Sequence, residues 1–295
     1  MVAHDAAPRG QGPNLAGVHR AVPSGNGGIR LLSTPGDDDR YDRSRGRQSP
    51  DHRDGSVSDV PLARALSSPE GKRRYVRTLF ATIADRYDFI TVALSGGLDR
   101  RWKRRVVRLA NARATDRVLD LATGTGDIAH LLGRRSAAVF GLDLTFRMIE
   151  LARTKRAGRG SPFFLVGDMM TLPFESASFD IVTTGYGLRN VPDLSVTLAE
   201  IYRVLDADGQ LLSLDFNRPS NALVRGVYLS YLAVVGGALG WLLHGDPDTY
   251  RYIPASLRGY PGAAGVVRLL ETAGFRTAAS YPVLGGLMAI HHARK

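Results

Sequence analysis

An apolar run over 118–121 gives way to two closely spaced glycines, Gly124 and Gly126, and a helical pattern resumes at Ile128. This reads as a buried strand, a tight turn and a helix start. Upstream, residues 70–113 follow a helical period, with Leu79, Phe80, Ile83, Ala84 and Tyr87 on one apolar face and a glycine turn at Gly96-Gly97 before a second, basic helix. Downstream the segments alternate. Strands are predicted over 137–142, ending at Asp143, over 163–166, ending at Asp168, over 179–184 and over 210–216, with helices over 148–155 and 196–205. Such alternation predicts a parallel sheet covered on both faces. Ligands then gather at the carboxyl ends of the strands, where Thr125, Asp143, Asp168 and residues 185–190 fall.

The last third breaks the alternation. Residues 223–243 are almost wholly apolar, interrupted only by Arg225, and the uncharged part from Gly226 is long enough to be a transmembrane candidate. Its four glycines, its Tyr228, Ser230 and Tyr231, and the polar HGDPDTYRY that follows without a second span instead predict a pair of helices lidding an apolar pocket. A helix over 266–273 stops at Gly274, and two strands, 275–281 and 287–292, flank Gly285-Gly286. An α/β sheet that ends in a hairpin points away from dinucleotide oxidoreductases and toward the seven-stranded methyltransferase sheet.

A chain of 295 residues holds one large domain with extensions, or two small ones. Residues 1–66 are dominated by Gly, Pro, Ser, Asp and Arg, too polar to offset the entropy of ordering, so a disordered tail is expected before a domain over 67–295. That domain would comprise N-terminal helices over 70–113 and a lid insertion over about 219–262. The tail's arginines from Arg9 to Arg53 are matched by as many aspartates, so the net charge of +11 belongs to the folded part. The start lacks a basic segment followed by an apolar one, which argues against a secretory signal, and Asp37, Asp38 and Asp39 argue against a transit peptide. With no cysteine, disulfides, cysteine-bound metals and thiol catalysis are excluded. The helix carrying Arg100, Arg101, Lys103, Arg104, Arg105 and Arg108 around Trp102 is either a solvated face or an interfacial helix that meets anionic lipid. Nucleic acid is not expected as a partner, because no recognition module or interleaved aromatics accompany the charge.

The glycine turn suits a ligand that approaches the main chain without meeting a Cβ. By itself it does not choose a cofactor, since Gly124-x-Gly126-x-x-Ala129 also fits the dinucleotide fingerprint.

More specific strings stand around it: IADRYD at 83–88, LSGGLDRRWKRR at 94–105, FDIVTTGYGLRNVPD at 179–193, DFNRP at 215–219, DTYRYIPASLRGYP at 248–261 and the closing HHARK. With these, residues 75–295 resemble the ubiquinone/menaquinone biosynthesis C-methyltransferase family, a branch of the class I S-adenosylmethionine-dependent methyltransferases. The resemblance implies an α/β, Rossmann-like seven-stranded sheet with a C-terminal antiparallel hairpin and a helical lid. It implies S-adenosyl-L-methionine as cofactor, with Asp120, Gly124, Thr125 and Gly126 at its methionine part and Asp143 on both ribose hydroxyls. Asp168 and Met169 would bracket adenine, with Gly185 also among the cofactor positions.

The implied reaction is C-methylation of a prenylated quinol. Arg189 would stabilise the phenolate or order a water, Asn190 would orient it, and Tyr87 with Asp88 would close the site. His244, Tyr250, Tyr252, His291 and His292 are secondary candidates. No metal is called for. The chain departs from the family pattern at Thr91, where Asn is usual, and at Gly185, where a small polar residue is common. A cytoplasmic enzyme peripheral to the inner membrane face is expected, and a homodimer is compatible with it. Three alternatives stay open: a methyltransferase for another lipid or natural product, an NAD-dependent oxidoreductase, and a non-catalytic scaffold subunit.

Overall fold

The computed structural model describes residues 62–155, 160–246 and 248–295. A helical turn, α1 (Leu62–Ala65), precedes α2 (Pro69–Ile83), which starts where the Ser68 hydroxyl accepts from the Gly71 N–H and Pro69 supplies a preset φ. Next come α3 (Tyr87–Ser95) and α4 (Asp99–Ala110), separated by Gly96 in the left-handed conformation. The alternating part runs β1 (Arg117–Leu121), α5 (Asp127–Leu132), β2 (Ala138–Asp143), α6 (Phe146–Thr154), β3 (Phe163–Val166), β4 (Phe179–Gly185), α7 (Leu194–Val204) and β5 (Leu205–Phe216). Two antiparallel lid helices follow, α8 (Ala222–His244) and α9 (Asp248–Gly259), then α10 (Gly262–Thr272), β6 (Thr277–Val283) and β7 (Met288–Arg294).

The strands form one sheet in the order β3-β2-β1-β4-β5-β7-β6. Pairing is parallel from β3 through β5. It turns antiparallel where β7 inserts between β5 and β6. Since β1 has β2 on one side and β4 on the other, the order reverses at β1 and a crevice opens above its carboxyl end. α4, α5 and α6 contribute the buried side chains on one face of the sheet, while α2, α7, α9 and α10 contribute those on the other. On the second face Phe179 meets Phe174 edge-on at 4.9 Å between ring centres, and Phe140 lies 5.9 Å from Phe179.

Most elements fall within a few residues of the sequence expectation, with β6 and β7 shifted by one or two and α10 starting four earlier; two differences have a structural cause. β5 begins at Leu205, where a helix was expected to end, because Leu205 pairs with Phe179 before a register shift brings Gln210 opposite Ile181. Residues 62–66 were assigned to the tail, yet Ala65 is buried in the core and Leu62 and Leu66 pack against it. Residues 1–61, which hold the rest of the expected tail, lie outside the described residues. Burying one alanine and half of two leucines is worth about 2 kcal/mol. A chain starting at Ser67 should therefore melt roughly 4–8 °C below one starting at Leu62; equal melting temperatures by scanning calorimetry would show that this turn adds nothing to the core.

Candidate functional site

Three hollows with shared walls open above β1 and β4. The first, a cleft of about 690 Å³, is lined by Gly124 after β1, Asp143 at the end of β2, Asp168 and Met169 after β3, and Gly185 and Asn190 after β4, with Phe80 and Tyr87 closing it from the N-terminal helices. A recess of about 300 Å³ beneath the glycine turn adds Lys103, Asp120, Thr125 and Asp127. The third is an apolar cavity of about 1340 Å³, bounded by Leu79, Ile83, Ile90 and Leu94 on one side and by Tyr228, Leu232, Tyr252 and Ile253 of the lid on the other. Tyr87 and Tyr186 border all three.

The expected site residues thus converge, but not all on one hollow. Asp120 and Thr125 lie in the recess, and Arg189 lines the apolar cavity rather than the cleft. Gly126 faces elsewhere. Its left-handed backbone (φ 82°) starts α5, and a Cβ there would come within 2.9 Å of the Phe164 ring. Of the secondary candidates, Tyr250 and Tyr252 line the apolar cavity, and His244 Nε2 lies 3.1 Å from the Tyr250 hydroxyl. His291 is enclosed within the sheet, where burial lowers its pKa to about 4, and His292 contacts Gln210. Both histidines read as structural.

Asp143 is held by two backbone donors: Gly124 N–H gives to one oxygen and Thr145 N–H to the other, each at 2.9 Å. Burial raises its pKa while these donors oppose the rise. Each carboxylate oxygen accepts more than one hydrogen bond, so capacity for two vicinal hydroxyls remains. Asp168 accepts from Met170 N–H at 2.9 Å and pairs with Arg73 at the same distance, and Met169 is a buried wall beside it. The lining fits S-adenosylmethionine: Asp143 could take the ribose, Asp168 and Met169 the adenine, and the carboxylates of the recess the ammonium. Asp88 straps α3 across the glycine turn, accepting from the Thr125 hydroxyl at 2.6 Å and pairing with Lys155 at 2.8 Å.

Sequence reasoning missed three groups. Lys103, read as part of a basic surface, is buried between Asp99 (2.7 Å) and Asp127 (2.9 Å). Burial works against its charge, but Asp127 and Asp99 outweigh it and raise its pKa, and Asp127 is held down at about 2 by Lys103 and Lys155 against its own burial. Asp99, four residues earlier, also accepts from the Tyr186 hydroxyl at 2.6 Å. The signal was present: Asp99 and Lys103 fall on the same helical stripe as Val106 and Ala110. Asp215 is the third. It is fully buried at the end of β5, with one oxygen 3.1 Å from Arg189 Nε as an ion pair and the other accepting the Arg189 N–H.

The parallel sheet closed by an inserted antiparallel β7, with an acid at the end of β2 and the glycine turn after β1, defines a class I S-adenosylmethionine-dependent methyltransferase. The chain belongs to the ubiE/COQ5 methyltransferase family, whose model matches residues 69–295. It is 41% identical over 217 residues to a demethylmenaquinone methyltransferase of Thermus thermophilus, covering 72% of this chain and 98% of the relative. It is 36% identical to a ubiquinone/menaquinone biosynthesis C-methyltransferase of Teredinibacter turnerae, covering 76% and 92%. Its fold resembles that of magnesium protoporphyrin IX methyltransferase from Synechocystis PCC 6803, solved with bound SAH, at a TM-score of 0.53 and 18% identity over 76% of this chain and 99% of that one.

Asp120 generates a prediction about pH. Its oxygens accept from the Thr123 and Thr183 hydroxyls at 2.6 and 2.7 Å, yet burial lifts its pKa to about 6. A folded-state pKa above the unfolded one means the carboxylate costs stability above pH 6, about 3 kcal/mol near neutrality, and the cost fades as pH falls toward 4. Asp120→Asn should therefore melt higher than the parent at pH 7.5, with the gap closing below pH 6, and should bind S-adenosylmethionine at least tenfold more weakly. A gap that does not change with pH would assign the titration to another group.

Proposed function

We propose that this methyltransferase transfers the methyl group to a ring carbon of a prenylated quinol, of the demethylmenaquinol or 2-polyprenyl-6-methoxy-benzoquinol type, in quinone biosynthesis. The observation that carries this reading is the apolar cavity of about 1340 Å³ that shares Tyr87 and Tyr186 with the cofactor cleft. A ring presented between those tyrosines would leave its prenyl chain among Leu79, Ile83, Ile90 and Leu232. The names of the relatives support the same acceptor class.

When bound, S-adenosylmethionine supplies an electrophilic methyl on a sulfonium. The chain's task is to align the ring carbon and to favour the quinol's ionised form. The Arg189 guanidinium faces the cavity and stacks 4.9 Å from the Phe216 ring, so it would stabilise a phenolate there. Asn190 fixes it: its Oδ1 accepts from Arg189 at 2.9 Å while its Nδ2 donates to the Tyr186 carbonyl at 2.7 Å. Burial pushes the Tyr87 hydroxyl up to about 12, so at neutral pH it serves as a hydrogen-bond donor and not as a base. An acceptor carried in lipid makes this a cytoplasmic enzyme that meets the inner membrane face.

Complementation of strains lacking the ubiquinone or the menaquinone methylation step, read by quinone mass, tests the acceptor; restoration of neither would overturn it. Arg189→Lys keeps a charge against Asp215 but loses the guanidinium fork. It should lower kcat by at least tenfold with the S-adenosylmethionine Kd changed less than twofold, whereas equal losses in both would make Arg189 a structural residue. Asp143→Ala should weaken cofactor binding at least tenfold by calorimetry, the loss of a charged hydrogen-bond acceptor being worth about 1.5–3 kcal/mol.

A further inference from the structure

α8 runs for 23 residues with Arg225 as its only side chain of full charge. One side is bound to the domain: Tyr228 donates to the Leu287 carbonyl at 3.1 Å, Leu232 is buried, and Gly236 packs so closely on Tyr250 that a Cβ would lie 3.1 Å from it. The opposite side is a second apolar stripe facing outward. Leu223 (78% exposed), Val227 (64%), Val234 (71%) and Trp241 (69%) repeat at helical spacing along the whole element. A surface helix of a globular domain ordinarily turns polar residues outward, and a continuous exposed apolar stripe marks an interaction surface.

The cavity mouth lies on the same helix. Tyr231, Leu98 and Leu284 each line the apolar cavity and are also exposed, so they form its rim. One turn beyond Leu98, a surface groove is lined by Arg101, Arg104, Arg108, Arg134 and Arg135 without an acidic residue. Apolar stripe, open rim and neighbouring guanidiniums together match the layered chemistry of an anionic bilayer surface. A second copy of the chain matches less well: one helix stripe of roughly 30 by 10 Å falls well short of the about 800 Å² per partner of a stable dimer.

We propose that α8 lies along an anionic lipid bilayer with its outward stripe in the interfacial layer, so that the cavity mouth between Tyr231, Leu98 and Leu284 opens into lipid. The helix lies along the surface and does not cross it, because Tyr228, Leu232 and Gly236 hold its other face on the domain. The role of the opening as an entry for acceptor rests on the prenylated-quinol reading; the docking itself does not.

The test uses the full chain with vesicles of phosphatidylcholine, with and without phosphatidylglycerol. The wild type should float with the phosphatidylglycerol vesicles and shift its tryptophan emission to the blue, and Trp241→Phe should lose the shift. Val227→Glu with Val234→Glu should reduce vesicle binding at least tenfold, with methyl transfer to a water-soluble short-chain quinol unchanged. Trp241→Ser, with circular dichroism as a check on folding, gives a second reading at an exposed position. Absence of flotation, or flotation that survives the glutamates, overturns the proposal. So does sedimentation showing that the glutamates convert a dimer to a monomer without any effect on lipid binding. Vesicle binding without transfer to the quinol would instead overturn the acceptor assignment and leave the docking intact.

Discussion

The buried pair between Arg189 and Asp215 is the constraint on which the upper half of the molecule depends. Asp215 has no contact with solvent, and burial drives its pKa upward while Arg189 draws it down. Removing either partner would strand a charge in the interior, a change that costs about 3–5 kcal/mol in comparable cases. The pair joins elements that are distant in sequence. Arg189 donates to Ser256 of α9 at 3.2 Å, and the Arg189 and Val191 carbonyls accept from Lys72 of α2 at 3.2 and 2.6 Å. The loop after β4, the end of β5, an N-terminal helix and the lid thus all meet at Arg189. If Arg189 holds the phenolate as proposed, the same residue also locates the walls around it.

A second charged cluster does comparable work at the cofactor end. Lys103 pairs with both Asp99 and Asp127, Asp99 fixes the Tyr186 hydroxyl, and Lys155 bridges Asp88 and Asp127 over the glycine turn. The recess has more acidic than basic side chains around it, which suits a cationic methyl donor better than a dinucleotide carrying a pyrophosphate. Tyr87 and Tyr186 stand between this cluster and the Arg189 pair. Burial keeps both protonated, so the wall shared by the cleft and the apolar cavity is uncharged there.

Much of the fold was legible because β2, β3 and β4 are short apolar runs that stop at or just before an aspartate or glycine. β3 falls on residues 163–166 as read, and the closing hairpin announced the antiparallel β7. Asp143 and Asp168 could be placed at the cleft because strand ends at such a crevice are few and acids there stand out, whereas Met169, which lines the same cleft, was named only through the family resemblance. What could not be read is pairing across the chain. Nothing near residue 215 says that its carboxylate will meet a guanidinium 26 residues upstream, and a lysine within a basic run resembles its exposed neighbours until its face is assigned. The start of β5 was missed because a strand interrupted by a bulge loses its two-residue period, and Ala65 because a single buried turn leaves no period at all.

α8 is the instructive case, since its failure to show a period was itself the signal. An amphipathic helix advertises its buried side by contrast with polar residues, as α4 does with arginines around Trp102 and Val106. α8 has no such contrast, which allows either a helix buried on all sides or one with two apolar environments. The structure excludes the first, because Leu223, Val227, Val234 and Trp241 face outward. An apolar outward stripe on a half-covered helix lowers solubility, and polar substitutions at those four largely exposed positions would cost the fold little in packing. The proposed lipid contact would give their apolar character a reason outside the domain, as the core gives one for Tyr228 and Leu232 within it.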